Sequence, residues 1–186
     1  LIKSKKKIKR KKVLLTFDDG FISNYHIAKT FLKPLHIKAL FFVNPVFIKC
    51  EKKSDIKRFV EDNLLNPDLF KLDPDIKPMN YSNLTDLLND GHSIGSHTLS
   101  HQRLSGINSS ESLAKEIRDS KLELEKKLNT TIDHFAYPFG DIDSISKEAI
   151  KIARSEYKFI YSGIRGLNSL KDKKSILFRE PVDLNH

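Results

Sequence analysis

One short stretch constrains the rest of the chain. Residues 13–17, Val-Leu-Leu-Thr-Phe, form an apolar run of strand length that ends abruptly in Asp18-Asp19-Gly20. An apolar run of this length, closed by a turn residue, reads as a buried strand. Side chains alternate across a strand, so Asp18 and Asp19 point in different directions and are free for different tasks. Gly20 permits the sharp backbone turn that must follow. Two carboxylates at a buried strand tip lose their water, and a cation, a proton or hydrogen bonds must compensate. The tip therefore calls for cation ligands elsewhere in the chain.

The segments that follow alternate in type. Residues 21–33 place Ile22, Tyr25, Ala28, Phe31 and Leu32 at helical spacing, and Pro34 stops the helix. Residues 37–43 form a second strand, closed by Asn44-Pro45. A β-α-β order favours a parallel sheet with crossover helices. Residues 47–78 read as a surface insertion, with a helix at 56–65 and then Pro67, Pro74 and Pro78. A helix over 82–91 is capped by Ser82 and ended by Gly91, and residues 92–96 are a strand. A longer helix begins at Ser109 and takes its apolar residues from Leu113, Ile117, Leu122, Leu124 and Leu128. Its Glu and Lys residues read as a solvated face. A strand over 132–137, a helix over 144–155 and a strand over 159–163 complete the pattern. The expectation is an α/β chain with a barrel-like sheet: a basic lead-in at 1–12 and one domain over 13–186.

At 186 residues the chain is long enough to bury one sizeable core. The first residue is Leu1 rather than Met, so the expectation is a fragment or a processed product. No apolar run approaches the roughly 18 residues of a membrane helix, and the first residues are no signal peptide. The single cysteine, Cys50, excludes an internal disulfide and a cysteine-built zinc site. The net charge of +9 is concentrated between Lys3 and Lys12. Such a run is first a solvated lead-in, and second a contact for an anionic membrane face or an anionic polymer. Nucleic acid is the weakest partner, because no aromatic residue interleaves with the run to stack on bases.

A second chemical feature is Ser96-His97-Thr98-Leu99-Ser100-His101. Histidines four apart on a helical turn share a face and can grip one ion through neutral imidazole nitrogens. Two histidines and one carboxylate, with Asp19 as the carboxylate, leave a coordination position open, as a catalytic metal requires.

Three motifs taken in order make the pattern specific: Thr-Phe-Asp-Asp-Gly at 16–20, Gly-His-Ser-Ile-Gly-Ser-His-Thr-Leu-Ser-His at 91–101, and Phe-Ala-Tyr-Pro-Phe-Gly at 135–140. Together they resemble the polysaccharide deacetylases, the NodB-homology domain or carbohydrate esterase family four, over residue 13 to at least 163. The resemblance implies a distorted (β/α) barrel with its site at the C-terminal ends of the strands. It implies that Asp19, His97 and His101 bind a divalent metal, usually Zn2+, with Co2+, Mn2+ or Ni2+ as alternatives. Asp18 becomes the general base. The backbone N–H at Tyr137 becomes the oxyanion donor, with Pro138, Phe139 and Gly140 shaping the substrate pocket alongside Tyr137. The implied reaction is N-deacetylation of N-acetylhexosamine in a cell-envelope glycan or its precursor. An O-acetyl esterase, a cyclic amide hydrolase and a non-catalytic glycan-binding relative are the alternatives on the same scaffold.

The chain departs from the family pattern in two places. Where the third motif often carries an arginine that steers the base, this chain has Ala136, and Arg179 is the candidate replacement. The family's late Leu-x-His pattern, which supplies a general acid, is matched by Leu184-Asn185-His186 at the end of the chain. The other histidines read as structural or exposed: His92 and His134 packed or hydrogen-bonded, His26 and His36 in solvent.

Overall fold

The computed structural model describes residues 12–64, 68, 73, 75–168 and 176–182. The basic run up to Lys11 and the candidate acid His186 lie outside these. Five strands form one parallel sheet: β1 (Leu15–Phe17), β2 (Ala39–Val43), β3 (Ser93–Ser96), β4 (His134–Ala136) and β5 (Phe159–Tyr161). Their spatial order is their chain order. Parallel neighbours need crossovers, and crossovers are right-handed. Because the order never reverses, the helices stay on one face and the sheet curls, as in a barrel rather than a doubly wound sheet. The curl is visible at the edges. Leu177 bridges Tyr161 beyond β5, and two residues later Arg179 reaches Thr16 and Asp18 on the first strand. The expected distorted (β/α) barrel type is what the chain adopts.

The crossovers are α1 (Ile22–Ile27), continued by a π-turn over Ala28–Leu32, then α2 (Pro45–Ile48), α3 (Lys53–Asp62) and α4 (Tyr81–Asn89). Next come α5 (Ser110–Ala114), a second π-turn over Lys115–Asp119, α6 (Ser120–Leu128) and α7 (Lys147–Glu156). Strand alternation separates two cores. Phe41, Val43, Ile94, Phe135 and Ile160 meet the helices through Ala28, Leu87, Ile117, Leu124 and Ala153. Leu40, Phe42, Ala136 and Tyr161 fill the concave side. Each buried side chain of this size contributes about 1.5–3 kcal/mol. Gly95 makes the concave packing possible. A Cβ there would lie 2.6 Å from the Phe42 ring, so only glycine lets that ring occupy the interior.

Three sequence expectations are corrected. Residues 47–78 are more than a surface insertion: Phe47, Ile56, Phe59 and Val60 form their own buried cluster, and Asn63 reaches the second motif. Helix α4 is capped by Asn80 rather than Ser82. The Asn83 N–H donates to Asn80 Oδ1 at 2.9 Å, and the Asn80 N–H donates to Asn83 Oδ1 at 3.0 Å. A reciprocal pair satisfies two orphan N–H groups, whereas a single serine satisfies one. Leu122 is 54% exposed, because the π-turn before it shifts the helical register by one residue.

Candidate active site

The β1 tip divides its two carboxylates as strand alternation requires. Asp18 continues the concave side begun by Thr16, where both meet Arg179. Asp19 turns away through a left-handed backbone, φ 69°, supported by Gly20 at φ 92°. Such a conformation is costly for a side-chain-bearing residue and persists only where the surroundings enforce it. Here the Gly20 N–H donates to the Asp18 carbonyl and the Gly20 carbonyl accepts from Met79 N–H.

Asp19, His97 and His101 converge, with one ligand atom from each lying within 4.8 Å of the others. Asp19 Oδ1 is 3.2 Å from His101 Nε2 and 3.6 Å from His97 Nε2. The two Nδ1 atoms face away, toward carbonyls: His97 Nδ1 to Ala136 O at 2.8 Å, His101 Nδ1 to Asn63 O at 2.9 Å. A carbonyl can only accept, so Nδ1 carries the proton and Nε2 presents its lone pair to the shared point. Metal-binding histidines have this arrangement, and the donor set therefore fits a divalent ion. Burial holds the His97 imidazole below its ordinary pKa, against the opposing pull of Asp18, which keeps the ligand neutral. For His101, burial disfavours the proton, but the bonding and charge of Asp19, the Asn63 carbonyl and the Asp18 charge together outweigh it and the pKa rises. The pull Asp19 exerts on a proton there is the pull it would exert on a cation.

The histidine pair is not on a helical turn, as its spacing suggested. It spans an irregular loop after β3 with left-handed residues at Thr98 (φ 66°) and His101 (φ 62°). Convergence is achieved by folding the loop back on itself rather than by helical pitch.

Asp18 is gripped by Arg179 in a two-point fork, Nη1 to Oδ1 at 2.6 Å and Nη2 to Oδ2 at 2.8 Å. Burial alone would raise the Asp18 pKa, but His97 and Arg179 more than offset it and hold the carboxyl below its ordinary value. Arg179 is itself fixed by a 2.8 Å bond from Nε to the Ser162 carbonyl and rests on Phe42, its Cζ 5.3 Å from the ring centre. Ala136 lies in the same concave cluster, so a small residue there leaves the interior to Phe42 and to the guanidinium above it.

The third motif places its residues differently from expectation. Tyr137 continues β4 with its ring on the helix-facing core, fully buried and 5.0 Å from Phe135. Its N–H donates to the Tyr161 carbonyl at 3.1 Å, so that amide is engaged in the sheet instead of facing the site, and the ring lines no acetyl pocket. Burial pushes its phenol far up. Phe139 is the residue that meets the site, its ring 4.9 Å from His101 and capped by Arg103 at 4.5 Å. Arg103 is anchored to Asp141 at 2.9 Å. Phe139 and Gly140 are both left-handed. A Cβ on Gly140 would lie 2.2 Å from the Gly163 nitrogen, which donates to the Gly140 carbonyl.

The sequence profile of the polysaccharide deacetylases matches residues 5–157. The chain belongs to the polysaccharide deacetylase family. Its members are hydrolases that act on N-acetylated polysaccharides and are generally metal-dependent. No curated protein matches the sequence. Among solved structures, a deacetylase of Streptococcus pyogenes, PplD, in complex with acetate is similar at 25% identity and TM-score 0.73, covering 96% of this chain and 68% of its own. BC0361, a polysaccharide deacetylase of Bacillus cereus, aligns at 20% identity and TM-score 0.65, over 89% of this chain but only 44% of its own. A de-N-acetylase of Aggregatibacter actinomycetemcomitans aligns at 14% and 0.71, over 98% and 74%. The last two show the shared fold.

Several residues that build the site escaped sequence reasoning. Asn44 donates its side-chain amide to the carbonyls of His97 and Thr98, and Asn63 donates to the Ser100 carbonyl. Glu116, read as part of a solvated face, is only 7% exposed and binds Ser100. Asn44 carried a signal in its place directly after β2. Asn63 and Glu116 carried none, since only the tertiary fold brings them to the loop. His92 is buried, its Nδ1 accepting the Ala39 N–H, and His134 pairs with the Tyr161 hydroxyl. Both are structural.

Proposed function

We propose that this family member is a metal-dependent N-deacetylase that frees the amine of N-acetylhexosamine units in a cell-envelope polysaccharide or its precursor. The supporting observation is the pairing of two devices in one place: a convergent Asp19–His97–His101 donor set, and, beside it, Asp18 held ionised by Arg179. A divalent ion held by the three ligands, zinc being the first candidate, would acidify water to a pKa of about 7 and polarise a carbonyl. Asp18 accepts the proton that water loses as it adds to the acetamide carbonyl. The carbon–nitrogen bond then breaks, the nitrogen takes up a proton, and acetate and a sugar amine leave. An ionised carboxylate of lowered pKa is a weak base, sufficient only because the water it serves is acidified. Arg179 keeps that carboxylate in one orientation, the task expected of an arginine at position 136.

For the oxyanion we assign the Phe139 N–H in place of Tyr137. Phe139 abuts His101, and its N–H makes no hydrogen bond among the described residues. Preorganised donors of this kind contribute about 2.7–4 kcal/mol to the transition state.

Zinc-loaded protein incubated with N-acetylated chito-oligosaccharide or peptidoglycan should release acetate, and Asp18→Asn should slow release by about 10²-fold or more. A rate of acetate release undiminished by this substitution refutes the assignment of Asp18. Preference for O-acetylated over N-acetylated glycans in the same panel would move the protein to the esterase reading.

A further inference from the structure

The loop 97–101 is a short irregular segment with two left-handed residues, yet almost every main-chain polar group in it has a partner. The His97 N–H donates to Val43 O, the carbonyls of His97 and Thr98 accept from Asn44, and the Leu99 carbonyl accepts from Val46 N–H. The Ser100 carbonyl accepts from Asn63 at 2.6 Å, and the His101 N–H donates to Thr98 Oγ1 at 3.0 Å. Three further donors go to a single residue. Glu116 takes the Leu99 N–H on its carbonyl at 2.9 Å, the Ser100 N–H on Oε2 at 3.0 Å and the Ser100 hydroxyl on Oε1 at 2.7 Å.

Two features separate Glu116 from an ordinary helix carboxylate. It is buried, and both carboxylate oxygens are spent as acceptors for Ser100. It also sits in the π-turn Lys115–Asp119, whose i→i+5 pattern leaves a carbonyl without its usual helical partner. The Glu116 carbonyl takes the Leu99 N–H instead.

We infer that the Glu116 carboxylate is the positioning group of the metal site, acting through Ser100 to hold the loop in the pose that aims the Nε2 atoms of His97 and His101 at Asp19. The inference rests on the metal-site reading above. Glu116 touches neither the ligands' nitrogens nor the reacting atoms. Its effect is geometric, because the left-handed conformations at Thr98 and His101 relax when the Ser100 N–H and hydroxyl between them lose their carboxylate acceptor, the Leu99 N–H keeping the main-chain carbonyl of residue 116 in every variant.

The test is zinc affinity of the full chain by competition with a chromophoric chelator, with the metal-free melting temperature measured alongside. Glu116→Ala is expected to weaken zinc by about 10- to 100-fold, the range seen when partners that orient metal ligands are removed. Glu116→Gln keeps the shape and one acceptor oxygen, and should fall between parent and Glu116→Ala. It decides the matter if the alanine variant fails to fold. Glu123→Gln on the same helix loses its ion pair with Lys49 but should leave zinc affinity unchanged. A merely structural role would lower the metal-free melting temperature of the Glu116 variants while leaving zinc affinity within about twofold of the parent, and that result overturns the inference. A parent chain that binds no zinc overturns the metal-site reading and this inference together.

Discussion

The two sides of the site are built in opposite ways. The metal side draws two of its three ligands from one stretch and is held by hydrogen bonds: His97 and His101 lie in one five-residue loop, clamped through its main chain by Asn44, Asn63 and Glu116, and Asp19 alone joins them from the β1 tip. The base side is long-range: Asp18 from the first strand meets Arg179 from the strand-like segment beyond β5, and the contact exists only because the sheet curls. Loop clamping constrains ligand geometry whatever the state of the barrel's far edge. The Asp18–Arg179 fork depends on that edge and on the Phe42 ring beneath it. Metal affinity and turnover should therefore be separable by mutation, and each variant below breaks or sharpens that separation.

The largest effect is expected at the ligands, where both properties fall together. His97→Ala removes one donor of three and should abolish stoichiometric zinc binding, measured by metal analysis after desalting, and with it acetate release. In the parent, zinc at about 100 times its Kd adds about 2.7 kcal/mol of stability. That corresponds to a rise in melting temperature of about 5–11 °C for a chain of this size, and His97→Ala should lose the rise. Asp18→Asn comes next and separates the two properties: zinc binding stays, while kcat falls about 10²- to 10⁴-fold, the share a general base supplies. Arg179→Met should follow with a smaller loss in kcat, about 10-fold or more, and an unchanged zinc isotherm. Arg179→Lys restores the charge but not the two-point fork, so it should recover only part of the rate. Full recovery by lysine would mean that charge alone, and not orientation, is what Arg179 provides.

The local parts of this architecture were legible in the sequence and the long-range parts were not. Strand, turn and helix signals located all five strands and the alternating order, because apolar periodicity and turn residues are properties of neighbouring positions. The residues at the β1 tip and in the second motif were found because carboxylates and histidines in such places have few other uses. The geometry that unites them was misread. A spacing of four suggested helical pitch, whereas left-handed Thr98 and His101 fold an irregular loop to the same effect. Tyr137 was assigned to the site from its place in the motif, but strand alternation after Phe135 sends it to the helix-facing core. Glu116 carries no local mark, since a buried acceptor and a solvated glutamate look identical in a helix of Glu and Lys. Arg179 was reached only by asking what replaces the motif arginine at Ala136, a question of chemistry rather than of pattern.

Gly95 offers the smallest and most discriminating break, because it lies beneath the base side and two residues before His97. A Cβ there would sit 2.6 Å from Phe42 Cδ1, closer than carbon atoms approach, and 3.1 Å from His134. Since Phe42 is fully buried and flanked by Tyr161 at 5.2 Å, the ring must tilt rather than retreat. Overpacking of this kind costs about 1–3 kcal/mol. Gly95→Ala should therefore lower the metal-free melting temperature by about 2–12 °C at about 2–4 °C per kcal/mol. The tilted ring no longer supports the guanidinium, so kcat should fall by a few-fold, while zinc affinity, set by the clamped loop, holds. Parallel losses of zinc affinity and kcat in Gly95→Ala would show instead that Phe42 transmits strain into the His97 loop, and that the two sides of the site move as one body.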